Sequence, residues 1–225
     1  MLYTREAVQA NIRNREGKRV FYLGPGDRLT PGARDFLTQQ NIQILSAAEA
    51  KPQEYRLLGG GFIREKPEHM THLNGDVLVL KTHPRIVFRG AMDTLQAEII
   101  LCQLMIPVLT DRMQELLELA RELIACDVLD KPLRWERLLG LTEQQLRERS
   151  HRPQDFYGQP HFMPAASDGA PVVWLNRCRC AARRAELAAC QAFGTDRGDI
   201  VKALNRMSSS IYLLMIEEKA KQGEH

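Results

Sequence analysis

Two long amphipathic segments in the C-terminal third of the chain constrain its fold most strongly. The first, residues 171–193, carries apolar and mostly small side chains at alternating spacings of four and three residues, namely Trp174, Cys178, Ala181, Ala185, Ala188 and Ala192. This is the period of an α-helix, and small side chains let a neighbouring helix approach closely. The second, residues 199–219, has an apolar stripe of its own, formed by Ile200, Leu204, Met207, Ile211 and Leu214. The pattern predicts two long, closely packed helices.

Three further helices are predicted upstream of this pair. Helical periodicity runs through residues 92–102 and 113–124, on either side of Pro107. Thr142 and Gln145 resemble a capping box, which predicts a shorter helix to about residue 149. Because most connections are short, neighbouring helices should run antiparallel. The predicted fold class is mainly α, a five-helix bundle.

The N-terminal part of the chain has a different pattern. Residues 20–23 and 42–45 are short apolar runs that predict strands, and Pro31 marks the first turn of a helix between them. The polar composition that follows, with three consecutive glycines, is typical of a linker and an irregular segment. We therefore expect two parts, a small α/β appendage with its linker in residues 1–60 and the bundle in residues 61–225.

Bulk properties exclude several classes of protein. The 31 basic and 28 acidic residues give a formal charge of only +3, far from the concentrated positive surface of a nucleic-acid-binding protein. The longest apolar run, residues 99–109, is interrupted and too short to cross a bilayer. Five cysteines without a secretory signal pattern predict reduced thiols in the cytoplasm. Glycines 24 and 26 lack the rest of a phosphate-loop pattern, which favours a plain turn over a phosphate site.

Charged and polar groups share faces on the two final helices. Arg179, Arg183 and Glu186 project together because their spacings are four and three residues. Such a patch is more often a solvated charged face than a site. On the last helix, four polar side chains lie beside the apolar stripe, namely Asn205, Ser208, Ser209 and Tyr212. They either bond to backbone and water or read the polar edge of a nucleotide.

Taken together, these residues resemble the signature of ATP-dependent corrinoid adenosyltransferases. The resemblance rests on Arg179, on Arg183 to Glu186 (RRAE), on Leu204 to Ser208 (LNRMS), and upstream on Lys81 to Ile86 (KTHPRI), Gly90 and Asp93. The chain is also similar to the ethanolamine-utilisation branch of this family at Leu29 to Phe36 (LTPGARDF), at Thr71 to Asp76 (THLNGD), and at Ser150, His151 and Pro153. The match covers most of the chain and is most specific in the last two helices.

This resemblance implies a five-helix bundle of the cobalamin adenosyltransferase type, a homo-oligomer that is usually a trimer with ATP bound between subunits. The reaction would transfer the 5'-deoxyadenosyl group of ATP to reduced cobalamin, giving adenosylcobalamin and triphosphate, with Mg²⁺ as the accompanying ion. Lys81, Arg179 and Arg183 would bind the triphosphate. Glu186 and Asn205 would bind the nucleoside side. Asp93 would pair with Arg179 across the interface, so that Arg179, Arg183 and Asp93 form the catalytic set.

The loop before the arginine helix would meet the corrin ring. In the family an apolar side chain there empties the lower axial position of cobalt, which makes the metal easier to reduce. The corresponding position here falls on His161, with Phe162 beside it, so either residue is a candidate for cobalamin binding. Some relatives bind a divalent metal through adjacent cysteines. This chain has no such pair, so we predict no metal site in the protein itself.

Two other functions compete with the enzyme. A bundle of this kind could hold cobalamin or a nucleotide for delivery without catalysing a reaction. Alternatively, residues 1–15 could form an amphipathic helix that uses Val8 and Ile12 to dock on a bacterial microcompartment shell, because enzymes of ethanolamine utilisation are associated with such shells. The expected partners are therefore ATP and a corrinoid, with a shell or a cobalamin-dependent lyase as further candidates, and no nucleic acid or membrane.

Overall fold

The computed structural model describes residues 1–15, 17–46 and 54–221. The chain separates into two compact units, Met1–Lys66 and Pro67–His225. The first is the small α/β part and the second is the helical part, so the predicted fold class is confirmed.

Short strands and two helices make up the first unit. Its elements are β1 (Leu2–Tyr3), α1 (Arg5–Ala10), β2 (Arg13–Arg15), β3 (Lys18–Leu23), β4 (Arg28–Leu29), α2 (Pro31–Gln39), β5 (Gln43–Ser46), β6 (Tyr55–Leu57) and β7 (Phe62–Ile63). β3 lies between β2, to which it is antiparallel, and β5, to which it is parallel. The predicted strand, helix and second strand therefore all exist. Phe21 of β3 packs with Phe36 and Leu37 of α2 in a small core.

The first helix is much shorter than expected. α1 lies between two strands, and its Val8 side chain is completely buried in the core of this unit. Ile12 is half-buried against the same core. The prediction of an amphipathic docking helix over residues 1–15 is therefore wrong, because the apolar side chains it would present are already covered by their own domain.

The Asp27 side chain occupies the glycine-containing loop that follows β3. The Gly24 amide donates a hydrogen bond to Oδ2 of Asp27 at 3.1 Å. A Cβ atom at Gly24 would lie 2.7 Å from that oxygen, so a larger residue there would displace the Asp27 side chain. A carboxylate thus takes the place that a phosphate would need, which supports the plain-turn interpretation.

The second unit contains the helical bundle. Its elements are β8 (Met70–Asn74), β9 (Val77–Leu80), α3 (Pro84–Met105), α4 (Thr110–Val128), β10 (Arg137–Leu138), β11 (Leu141–Thr142), α5 (Glu143–His151), α6 (Pro153–Tyr157), α7 (Gly169–Phe193) and α8 (Gly198–Ala220). The five predicted bundle helices correspond to α3, α4, α5, α7 and α8. The capping box of α5 is formed by Thr142 and Gln145.

The segment expected to be irregular contains strands. β8 and β9 pair as an antiparallel hairpin around Gly75, whose φ of 53° suits a tight turn. Leu73, Val77 and Val79 are buried together on one side of this hairpin. The prediction of an irregular stretch before the bundle was therefore wrong for β6 to β9.

α7 is the central helix of the bundle and packs against both α3 and α8. Its buried face consists of small side chains, as the sequence pattern predicts, and Ala181, Ala182 and Ala185 are at most 1% exposed. Because small residues allow close helix contact, this face holds the two partners near the α7 axis. The opposite face of α7 is left for polar groups.

A buried carboxylate joins the start of α3 to the end of α4. Asp127 is completely buried and accepts hydrogen bonds from Arg85 Nε at 2.8 Å and from Arg89 Nε at 2.6 Å. Arg85 also donates to the Asp127 carbonyl at 2.7 Å, and Arg89 donates to the Leu73 carbonyl at 2.9 Å. These contacts fix the hairpin and both helices at one corner of the bundle.

No single helix in the described part of the chain is long and apolar enough to cross a membrane. α3 passes that test only in combination with residues 107–128, and the two are bent by 119° relative to each other.

Candidate active site

A cleft of about 780 Å³ lies between α7, α8, the end of α5 and the loop that follows α6. α7 contributes Asn176, Arg179, Cys180 and Arg183 to its lining, and α8 contributes Asn205, Arg206, Ser208, Ser209 and Tyr212. The loop adds residues 161–164. The cleft thus brings together five of the predicted site residues, namely Arg179, Arg183, Asn205, His161 and Phe162.

The α7 wall carries positive charge that no carboxylate neutralises. Arg183 is exposed and makes no ion pair or hydrogen bond within the described residues. Arg179 is half-buried; its guanidinium carbon lies 5.2 Å from the centre of the Tyr212 ring, and its Nη1 is 3.5 Å from Asn176 Oδ1. The lining contains no aspartate or glutamate. Two unpaired guanidinium groups one helical turn apart suit a polyphosphate.

Asn205 of the α8 wall makes two hydrogen bonds through its side-chain amide. Its Nδ2 donates to Glu186 Oε1 at 2.8 Å, and its Oδ1 accepts from Arg206 Nη1 at 2.8 Å. Arg206 is only 13% exposed and lies 3.7 Å from Glu143. Glu186 does not line the cleft but accepts a hydrogen bond from Asn205, which does. Glu186 and Asn205, both predicted to bind the nucleoside side, are thus hydrogen-bonded to each other, and of the two only Asn205 lines the cleft.

An aromatic cluster closes the third side. The rings of His161 and Phe162 both stack against Tyr212, with centroid distances of 5.7 and 6.2 Å. Lys219 lies 4.6 Å above the Phe162 ring and is ion-paired with Asp168. The hydrogen bond from Lys219, followed by one from the Ala165 amide, lowers the pKa of Asp168. The loop is therefore anchored to α8 at two points.

Lys81 and Asp93 lie outside the cleft lining. Lys81 is exposed after β9, where its Nζ is 2.7 Å from Glu68 Oε1. Asp93 is exposed on α3, and no partner for it is found in the part of the chain that the structure describes. The single chain does not bring either residue to the arginine wall.

Potential metal ligands are scattered. Across residues 1–15, 17–46 and 54–221, no three histidine, cysteine, aspartate or glutamate side chains are grouped as a metal site. Cys178 is buried while Cys180 is exposed, so these two thiols lie on different faces of α7. Burial and a hydrogen bond with Cys102 raise the pKa of the Cys178 thiol, the hydrogen bond being the larger effect.

Several residues of the cleft had no assigned role in the sequence analysis, among them Arg206, His151 and Met163. Arg206 lies within the LNRMS motif, but its contact with Asn205 could not be read from spacing. His151 provides a backbone carbonyl to His161. Met163 is 88% exposed at the cleft although it is large and apolar. An exposed apolar side chain in a loop next to a charged motif is the signal that could have identified it.

Comparisons with known proteins identify a family model and relatives that match most of the chain. A family model described as "Cobalamin adenosyltransferase" matches residues 62–218. The "Corrinoid adenosyltransferase EutT" of Salmonella typhimurium strain LT2 is 32% identical over 247 residues, covering 95% of this chain and 91% of the relative. The protein of the same name in Escherichia coli K12 is 30% identical over 248 residues, covering 96% and 91%. No solved structure matches the chain significantly.

Proposed function

The chain belongs to the cobalamin adenosyltransferase family, and from this premise we propose that it transfers the 5'-deoxyadenosyl group of ATP to reduced cobalamin in ethanolamine utilisation. The observation that carries the proposal is the cleft itself. It combines two unneutralised arginines with an aromatic and apolar loop. Such a cavity can hold a polyanionic nucleotide beside a large, flat, mostly apolar ring.

The arginines act on the leaving group. Reduced cobalt is a strong nucleophile, so the protein needs no general base and supplies position and charge instead. As cobalt attacks the ribose 5' carbon, negative charge grows on the departing triphosphate. Arg179 and Arg183 stabilise that charge, because their planar groups bind phosphate oxygens in pairs.

Asn205 orients the nucleoside. Its amide is fixed by Glu186 on one side and Arg206 on the other, so it offers a ligand a side chain that is already ordered. Preorganised polar groups of this kind lose little entropy when they bind. Glu186 thereby serves the nucleotide through Asn205. His161 and Phe162 form the corrin side of the cleft.

We propose that Mg²⁺ arrives with ATP rather than at a site built by the protein. The described lining offers no carboxylate, and Mg²⁺ commonly binds through substrate phosphates and water. When bound, it would add to the neutralisation of the triphosphate. The residues present fit a magnesium–nucleotide complex but not a separate metal centre.

Lys81 and Asp93 are proposed to serve the cleft of a neighbouring copy. Both are exposed and outside the lining of their own chain, which agrees with a trimer whose sites lie between subunits. Mixing equal amounts of Lys81→Ala and Arg183→Ala chains, each strongly impaired alone, should restore up to about a quarter of the activity, because each shared site needs one intact copy of each residue. No recovery would place both residues in one protomer's site. Full activity of Lys81→Ala alone would remove Lys81 from the proposal.

The principal test is anaerobic visible spectroscopy. Purified protein is mixed with chemically reduced cobalamin, magnesium and ATP, and the light-sensitive adenosylated product is followed. Formation of product only when both protein and ATP are present supports the enzyme. A folded protein that binds cobalamin without converting it would support a delivery module in its place.

We also propose a cytoplasmic location. Docking on a microcompartment shell or on a cobalamin-dependent lyase would need a surface other than Val8, which is buried. Co-sedimentation of the intact protein with purified shells tests this association. Binding that survives a Val8→Ala substitution would show that another surface is used.

A further inference from the structure

Tyr212 of α8 contacts the loop that forms the opposite side of the cleft through both its hydroxyl and its ring. Its hydroxyl lies 3.0 Å from His161 Nδ1 and 3.4 Å from the Phe162 amide nitrogen. The two rings of that loop stack on its own, the His161 ring at an angle of only 10°. One side chain of α8 therefore holds two consecutive loop residues, about 50 positions earlier in the chain, by both polar and aromatic contacts.

The hydrogen bonds around this hydroxyl have one consistent direction. The His151 carbonyl, 3.2 Å from His161 Nε2, can only accept, so Nε2 carries the ring proton. In the neutral imidazole Nδ1 is then an acceptor, and the Tyr212 O–H donates to it. The same oxygen accepts from the Phe162 amide. Every polar atom in this set of hydrogen bonds is paired. Loss of the Tyr212 hydroxyl would therefore break two hydrogen bonds together.

The same ring also contacts the nucleotide side of the cleft. The Arg179 guanidinium carbon lies 5.2 Å from the Tyr212 centroid, within the range of a cation–π interaction. Tyr212 thus stands between an arginine proposed to bind triphosphate and the loop proposed to bind the corrin. With His161 and Phe162 held against Tyr212, Met163 is left 88% exposed as the free apolar side chain of the loop.

We propose that Tyr212 is a positioning residue whose hydroxyl fixes the corrin-side loop and whose ring fixes Arg179. The inference rests on the proposed adenosyltransferase function for its kinetic part only. The hydroxyl contacts only the corrin-side loop, whereas the ring contacts both that loop and Arg179. Two substitutions can therefore separate the two roles.

Tyr212→Phe removes the hydroxyl and keeps the ring. We expect the KM for cobalamin to rise about tenfold, as two hydrogen bonds are lost, while the KM for ATP stays unchanged. Without any substrate, amide hydrogen exchange in residues 159–163 should be faster than in the wild type, because the Phe162 amide loses its acceptor. Tyr212→Leu removes the ring as well and should also raise the KM for ATP.

The matched control is Tyr157→Phe. Tyr157 is half-buried on α6 against the bundle core, and its hydroxyl has no partner among the described residues. This variant should leave both KM values and the exchange of residues 159–163 unchanged. A Tyr212→Phe protein with wild-type exchange in that segment, or with an equal rise in both KM values, would overturn the inference. A wild-type protein that forms no adenosylated product would instead defeat the proposed function, while the exchange measurement would still decide whether Tyr212 holds the loop.

Discussion

Two arginine clusters of the bundle have opposite surroundings. Arg85 and Arg89 of α3 share the buried carboxylate of Asp127 and are about one-fifth exposed. Arg179 and Arg183 of α7 face the cleft and have no carboxylate partner in the described residues. In the first cluster a buried carboxylate offsets one of the two positive charges, and the arginines hold helices together. In the second the balancing charge is missing, which leaves room for an anionic ligand.

The presence or absence of a carboxylate partner therefore distinguishes a structural from a functional arginine, which the residue type alone does not do. A buried ion pair is expensive to break because its remaining member is left without solvent. An exposed, unpaired arginine costs little to remove from the fold. Four substitutions test this contrast, from the largest expected effect to the smallest.

Asp127→Asn should have the largest effect, and it should fall on stability. Loss of the charge leaves Arg85 and Arg89 uncompensated, so the free energy of unfolding should fall by about 3–5 kcal/mol. Urea unfolding at fixed protein concentration measures this change. The KM for ATP of the protein that remains folded should be unchanged. A loss below about 1 kcal/mol would contradict the structural role of the cluster.

Arg183→Ala should affect catalysis rather than folding. Removal of one phosphate-binding guanidinium should lower kcat/KM for ATP by about 10- to 100-fold, with a wild-type unfolding curve. Steady-state kinetics with varied ATP provide the measurement. Arg184→Ala is the matched control, because Arg184 is also exposed on α7 but does not line the cleft. Equal losses in both variants would mean that general surface charge, not the cleft, binds ATP.

Asp199→Asn should produce a smaller and pH-dependent effect. The hydrogen bond from Arg197 lowers the pKa of Asp199 to about 2, and Asp199 also accepts from the Leu133 amide. Because the folded pKa is below the unfolded one, this carboxylate stabilises the protein above pH 4 and loses its contribution as the pH falls towards 2. The variant should be about 1–2 kcal/mol less stable at pH 7. Denaturation curves from pH 7 to pH 3 should show this difference shrinking; a constant difference would argue against the ionised pair.

Arg177→Ala should have the smallest effect. Arg177 pairs with Glu98 at 2.8 Å. Glu98 is only 11% exposed, but Arg177 is 58% exposed, so water screens the pair and can replace the guanidinium, and we expect the pair to contribute about 0–1 kcal/mol. Neither the unfolding free energy nor the KM for ATP should change beyond that range. Thermal unfolding and ATP kinetics on the same preparation check both values. A large loss of stability would show that exposure alone does not distinguish structural arginines here.

The long helices could be predicted from sequence because their signal is repeated many times. The apolar period continues for about five turns in α7 and about four in α8, and the capping box of α5 is local. The cleft residues on α7 and α8 followed from the same periodicity combined with a recognisable motif. The polar faces of α7 and α8 meet at one cleft because the two helices pack against each other.

The features that were missed depend on distant contacts or on very short elements. Strands of two to five residues, such as β6 to β9, provide too few positions for a pattern. An apolar stripe such as that of Val8 does not reveal whether its own domain or a partner covers it. The contact of Tyr212 with His161 joins positions about 50 residues apart, and no local signal announces it. Sequence patterns also do not reveal that Lys81 and Asp93 lie outside the cleft lining of their own chain.

The alanine face of α7 limits how this cleft can change in evolution. Ala181, Ala182 and Ala185 fill the space between α7 and its neighbours and have almost no smaller alternative, so nearly every substitution there adds volume. Added volume pushes neighbouring helices apart, and Arg179 and Arg183 move with α7 relative to Asn205. A lineage could therefore widen its binding cleft through a single extra methyl group on the far side of the helix. Every residue that touches the substrate would remain the same.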